Sequence, residues 1–176
     1  RRAVLEAAET YFLEVGYEAF SMSNLAKNIG VAKGTLYLYF ETREEIFLTL
    51  YEQSLVRWTQ LFIDDLPDTM TSQAYARKLF KTAAADGTFL PLLIRLEHLI
   101  EHNVAVPRLI SSKQVFILRV DAVAEVTASS LGLSEAQATE VVKTMGVLLI
   151  GATQGDQGPS LDDEELPEDV QNLIAS

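Results

Sequence analysis

Between Ser21 and Arg43 the chain reads SMSNLAKNIGVAKGTLYLYFETR, and hydrogen-bond donors crowd its second half. Lys33, Thr35, Tyr37 and Tyr39 bring an ammonium and three hydroxyls, groups that reach phosphate oxygens and base edges. Gly34 among them has no side chain, so the backbone there can come close to a partner. Arg43 adds a cation at the head of the next helix, where free N–H groups and a charge can grip a phosphate together. Elsewhere the chemistry is thin. The two histidines, His98 and His102, stand four apart beside Glu97 and Glu101. On a helix that spacing puts both on one face, as a metal pair requires, but no third ligand or zincin pattern accompanies them. A polar surface or helix pairing is the better reading, and no metal is expected. With no cysteine, no phosphate-cradling glycine loop and no histidine outside that segment, neither catalysis nor a cofactor is expected.

The elements that must position these residues are helices. Sustained apolar/polar alternation and Asn-Gly turns are absent, whereas helical spacing recurs throughout. Val4, Leu5, Ala8, Phe12 and Val15 mark one face of a first helix that Gly16 ends. Ser21 is a good N-cap for a short helix to about Ile29. Gly30 breaks it, at a turn where a positive φ is expected, and a second short helix follows from about Ala32 to Tyr39. Leu25, Ala26 and Ile29 on one short helix face Leu36 and Phe40 on the other, with Val31 in the angle between them. This is the geometry of a helix-turn-helix whose second helix is free to enter a major groove. Thr42 with Glu45 forms a capping box for a helix to about Asp64 that carries Ile46, Leu50, Leu55, Trp58 and Phe62.

The run Gly30-Val31-Ala32-Lys33-Gly34-Thr35-Leu36-Tyr37-Leu38-Tyr39-Phe40, followed by Arg43-Glu44-Glu45, closely resembles the signature of the tetracycline-repressor family of transcriptional regulators. The resemblance covers about residues 3–50, including Gly16-Tyr17 and Ser21–Ala26. It implies that Lys33, Thr35, Tyr37 and Tyr39 contact DNA, with Ser21, Ser23 and Gly34 beside them, and that Arg43 contacts phosphate. Three positions depart from the family pattern. Ile29 replaces a usual alanine, Ala32 a usual serine that could cap the recognition helix, and Arg43 a usual lysine. The implied organisation is all-α: a three-helix DNA-binding domain at 1–46 and a helical effector-binding and dimerisation domain at 47–176. The implied partners are double-stranded operator DNA, a small-molecule effector and a second copy of the chain.

Beyond residue 50 the resemblance is architectural. Helices are expected at about 72–86, 88–103 and 106–131, with Pro91 and Pro107 in first turns. A further helix, capped by Ser134 and Gln137, should reach about Ala152. A break at Gly155–Pro159 and a short helix after Pro167 should follow. The 88–103 helix and Val115–Val126 are apolar around most of their circumference, the mark of interior helices. Trp58, Phe62, Tyr75, Phe80, Phe89, Leu93, Leu96 and Phe116 could line an effector cavity or simply pack as core. Arg95 and Arg119 could anchor an anionic effector or pair with local acids. Val141, Met145, Leu148, Leu149 and Ala152 give the 134–152 helix a broad apolar face, read as half of a four-helix dimer interface made with the C-terminal segment.

A net charge of −11 looks unsuited to DNA, but its distribution matters more than its sum. Seven acids and no base lie between Asp156 and Ser176. Between Ser21 and Arg43, Lys27, Lys33 and Arg43 face Glu41 alone. A small basic head on an acidic body suits operator binding, because phosphate attraction is local at physiological salt. The absence of cysteine fits a reducing compartment, and a cytoplasmic location is expected. No signal-peptide pattern or apolar run of membrane-spanning length appears, and the chain begins at Arg1, so an arm can precede it. Two other readings stay open: an enzyme, and a helical ligand-binding module that has lost DNA recognition. The donor row from Lys33 to Tyr39 argues against the second.

Overall fold

A computed structural model describes residues 1–155 as a succession of helices with no strand among them. Helix α1 spans Arg2–Ala19, but Gly16 at φ 73° kinks it where the sequence placed its end. Helices α2 (Met22–Asn28) and α3 (Lys33–Tyr37) flank Gly30, which has φ 71°. Helix α4 runs unbroken over Arg43–Asp64, α5 over Ser72–Ala85 and α6 over Phe89–Leu93. A π turn at Leu96–Ile100 and a 3₁₀ turn at Glu101–Asn103 lead to α7 (Val106–Leu131) and α8 (Glu135–Gly155). The expected turn before Pro159, the short helix after Pro167 and the C-terminal part of the expected interface lie outside the described residues.

The caps follow the local sequence. The Ser21 hydroxyl accepts from the Asn24 N–H at 3.2 Å, and Thr42 accepts from that of Glu45 at 3.0 Å. Ser134 and Gln137 close a reciprocal box: Ser134 Oγ accepts from the Gln137 N–H, and Gln137 Oε1 from the Ser134 N–H at 3.0 Å. Ala32 offers α3 no side-chain cap, as the loss of the family's serine predicts. Gly132, at φ 64°, ends α7 in a left-handed turn that lets the Leu133 N–H reach the Ala128 carbonyl at 2.9 Å.

One expected helix is broken. The 88–103 segment leaves α-helical register because the Arg95 guanidinium donates to the Pro91 carbonyl at 2.9 Å, the oxygen its own N–H would otherwise use. That N–H bonds Leu92 instead, at 3.1 Å. The Arg95 carbonyl then accepts from both Leu99 and Ile100, at 3.0 and 3.1 Å, which widens the next turn.

Helix α4 ties the chain together. Its first half buries Ile46, Phe47 and Leu50 on the side of α1, and its second half buries Leu55, Trp58 and Phe62 on the side of α5 and α6. The Phe47 ring lies 5.6, 4.7 and 4.8 Å from those of Phe12, Tyr17 and Phe20. Aromatic pairs in such tilted and edge contacts add roughly 0.5–1.5 kcal/mol each beyond burial. Across α4, Arg57 bridges Glu9 at 2.5 Å and Asp86 at 3.0 Å, and Arg108 forks onto Glu52 with both contacts at 2.6 Å. Replacing Phe47 with Ala should cost about 3–5 kcal/mol, the range for emptying a fully buried aromatic site. Denaturant titration followed by far-ultraviolet circular dichroism measures this; a loss below about 1 kcal/mol would mean the four-ring cluster is not what holds α1 to α4.

Candidate DNA interface and ligand cavity

Leu25, Ala26, Leu36 and Phe40 are buried between α2 and α3, which fixes the angle of the helix-turn-helix. Val31 is not the plug the sequence suggested; it is 37% exposed. On the outer side Lys33, Gly34, Tyr37 and Tyr39 are exposed and Thr35 half-exposed, and Lys33 and Tyr37, four apart, share one face of α3. The Lys33 ammonium sits 5.7 Å from the centre of the Tyr37 ring, which orients both side chains before any partner arrives. A Cβ built at Gly34 meets nothing within 4 Å, so packing inside the subunit does not require glycine there. Ser23 is exposed, while Ser21 is half-buried and occupied as the α2 cap. Leu38 went unremarked in the sequence, yet it is an apolar side chain 82% exposed beside the donors.

Arg43 opens α4, as expected, and is also engaged within its own subunit. Its guanidinium lies 5.0 Å from the Tyr17 ring centre, donates to the Phe20 carbonyl at 3.3 Å and pairs with Glu44 at 2.7 Å. Burial works against its charge, and the Glu44 carboxylate more than offsets that. Burial, and then the Glu44 charge, raise the Tyr17 phenol above its ordinary value. The Arg43 hydrogen bonds use its Nε–H and one Nη1–H, and a guanidinium has five donors, so the others stay open to a phosphate. The same contacts tie the Gly16 kink to α4.

Between α4, α6, α7 and α8 lies a cavity of about 240 Å³. Four expected residues line it: Trp58, Phe89, Leu93 and Phe116, with Tyr51, Leu55, Val123 and Leu149 completing much of the wall. The other four do not. Phe62 and Tyr75 pack edge-to-face at 5.4 Å as solid core, with the Tyr75 hydroxyl 2.7 Å from that of Thr127. Leu96 is buried core, and Phe80 lies in a separate open groove between α5 and α8. Tyr51 is the informative wall residue. Burial drives its phenol far above the ordinary range, so it remains a donor, yet its buried oxygen has no partner. An unmet buried hydroxyl costs about 1–3 kcal/mol and calls for an explanation.

The face expected to dimerise is also divided. Leu149 is 3% exposed in the subunit's own core, and Val141 and Met145 pack against that core, so these three do not present themselves outward. Leu148 and Ala152 do. Within Val115–Val126, expected to be interior, Ile117 and Leu118 are 56% and 66% exposed; Val106 and Ile110 are exposed earlier on α7, and Val147 joins them from α8. The π and 3₁₀ turns interrupt the helix that would have aligned His98 and His102, and both are exposed. Among the described residues no group of three or more metal-binding side chains occurs, and no helix is long and apolar enough to cross a membrane.

A helix-turn-helix head joined to a hollow helical body is the plan of an all-α helix-turn-helix protein, and comparison with known proteins gives the family. Residues 4–50 match the model of bacterial regulatory proteins of the tetR family, and residues 52–160 match a tetracyclin repressor-like C-terminal domain. The chain belongs to the tetR family of bacterial transcriptional regulators. It is 31% identical over 70 residues to the fatty acid metabolism regulator protein of Bacillus subtilis, a match covering 40% of this chain and 36% of that protein. Two solved structures share the fold. A possible TetR family regulator from Streptomyces coelicolor A3(2) has a TM-score of 0.69 at 16% identity, covering 99% of this chain and 84% of its own. FadR from Bacillus subtilis in complex with stearoyl-CoA has a TM-score of 0.57 at 20% identity, covering 91% and 90%.

Two variants check the site. Tyr51→Phe removes the unmet hydroxyl and should stabilise the ligand-free protein by about 1 kcal/mol, read as a rise in Tm of roughly 2–4 °C. A drop in Tm would show that the hydroxyl has a partner. Arg43→Ala should lower the melting temperature and reduce the slope of log affinity against log salt by about 0.9. An unchanged slope would remove Arg43 from the phosphates.

Proposed function

We propose that this regulator binds a palindromic operator as a homodimer, represses from it, and releases it when a small, largely apolar effector fills the cavity. The observation that carries this reading is the accessible donor row on α3, presented by a head whose α4 continues into the cavity wall. Two heads related by a two-fold axis would enter successive major grooves about 34–36 Å apart. The exposed apolar residues of α7 with Val147 and Leu148 of α8 supply a self-complementary face for that axis. Sequence likeness to a fatty acid metabolism regulator, and fold likeness to a protein solved with stearoyl-CoA, favour an effector with a substantial hydrocarbon part. Because it acts on chromosomal DNA, its place is the cytoplasm.

Release follows from the connections between head and cavity. The Thr42 hydroxyl at the start of α4 donates to the Asn103 carbonyl at 3.1 Å, and Arg95 lies 5.3 Å from the Tyr17 ring centre. Both contacts join the head to the segment whose Leu93 and Glu97 line the cavity. A ligand that binds better when this segment moves shifts the head with it. Coupling of about 1–3 kcal/mol is typical and would release DNA.

An operator selected from a random duplex library tests the reading. Lys33→Ala and Tyr37→Ala should each weaken it by about 1–3 kcal/mol without unfolding the protein. An unchanged affinity for Tyr37→Ala would remove α3 from the groove. Ile117→Asp and Leu148→Asp should abolish dimer and operator binding together, whereas Leu149→Asp should unfold the subunit. Sedimentation showing an intact dimer for both surface variants would place the two-fold axis elsewhere.

A further inference from the structure

The cavity wall is not uniformly apolar. Arg119 of α7 and Lys143 of α8 stand on it, and Glu97 is the lone acid there. The other two cations of α7 are used: Arg108 is paired with Glu52, and Lys113 lies 2.6 Å from Glu101. Arg119 and Lys143 have no ion-pair partner among the described residues. Arg95, the other arginine that could have met an anion, is committed to the Pro91 carbonyl and the Tyr17 ring. So an apolar chamber carries two uncommitted cations on its wall and, at Tyr51, a buried hydroxyl with no acceptor. Arg119 is half-buried and Lys143 exposed, so they stand at the open side of the chamber, while the Tyr51 hydroxyl lies buried within it. Together they match a ligand that is apolar in its body and bears oxygen and negative charge.

We propose that the cavity receives an amphiphilic anion: a hydrocarbon chain among Trp58, Phe89, Leu93 and Val123, with its negative head held by Arg119 and Lys143. This rests on the effector reading above and narrows it from an apolar molecule to a charged one. At about 240 Å³ the chamber exceeds the roughly 150 Å³ that holds benzene, so it suits a chain of medium length. Glu97 opposes the head, but two cations outweigh one carboxylate. Free carboxylates and acyl thioesters both carry this chemistry, the second with its charge on phosphates.

Calorimetry on the full chain with decanoate and decanamide separates charge from hydrocarbon. Decanoate should bind about tenfold more tightly. The pair Arg119→Gln and Lys143→Gln should erase that preference while sparing decanamide, and Glu97→Gln should strengthen decanoate. Decanoyl-coenzyme A identifies the source: tighter binding than decanoate, again lost in the double variant, assigns the head to the thioester's phosphates. Equal affinity for decanoate and decanamide, or a preference that survives the double variant, overturns the proposal. Binding of none of the three ligands by a protein that still holds its operator overturns it as well, and leaves the regulator reading standing. Loss of operator binding with the charge preference intact overturns only the regulator reading.

Discussion

The structure depends on α4 running through one continuous core from the head into the body. Its 22 residues span about 33 Å, from the four-ring cluster around Phe47 to the stacked pair of Trp58 and Phe89, whose ring centres are 4.5 Å apart. A helix of that length buried at both ends cannot tilt at one end alone. The head and the body therefore share a rigid axis, and every other contact between them either stiffens it or reports on it. Arg57 and Arg108 stiffen it with forked or paired carboxylates. The Thr42–Asn103 hydrogen bond and the Arg95–Tyr17 contact connect it to the less regular segment beyond α6.

That segment explains how a single bundle can be both firm and responsive. The π and 3₁₀ turns from Leu96 to Asn103 follow from one side chain taking a carbonyl that the backbone would normally use. The result is a stretch with poorer hydrogen-bond geometry, touching the cavity at Glu97 and the head at Asn103. Local stability in proteins is uneven, and elements that move are drawn from its low end. Here the weak stretch adjoins the cavity, while the aromatic clusters flank it on α1, α4 and α5.

Much of the architecture was legible because its causes are local. Ser21, Thr42 and Ser134 cap helices through atoms three residues away, and Gly16 and Gly30 take the positive φ that glycine permits. The donor row of α3 was equally plain, since alternating outward donors and inward Leu36 and Phe40 leave few ways to fold. What escaped prediction depends on distant partners. Nothing near position 43 in the chain says that its arginine will lie against the Tyr17 ring. The apolar arc of α8 does not say that Leu149 faces inward while Leu148, one residue earlier, faces out. Nor does spacing reveal that the Arg95 side chain would interrupt its own helix, or that Phe62 and Tyr75 would fill with each other the space a ligand was expected to use.

Gly34 carries a consequence for how this protein can change. It lies inside a short helix, where glycine is less favourable than alanine by roughly 0.5–1 kcal/mol, and the space around its Cα is empty. Alanine there would make the isolated protein more heat-resistant. On the binding mode proposed above, selection for thermal endurance and selection for operator occupancy pull this one position in opposite directions. A lineage freed from its operator would be expected to lose the glycine early, well before its core eroded.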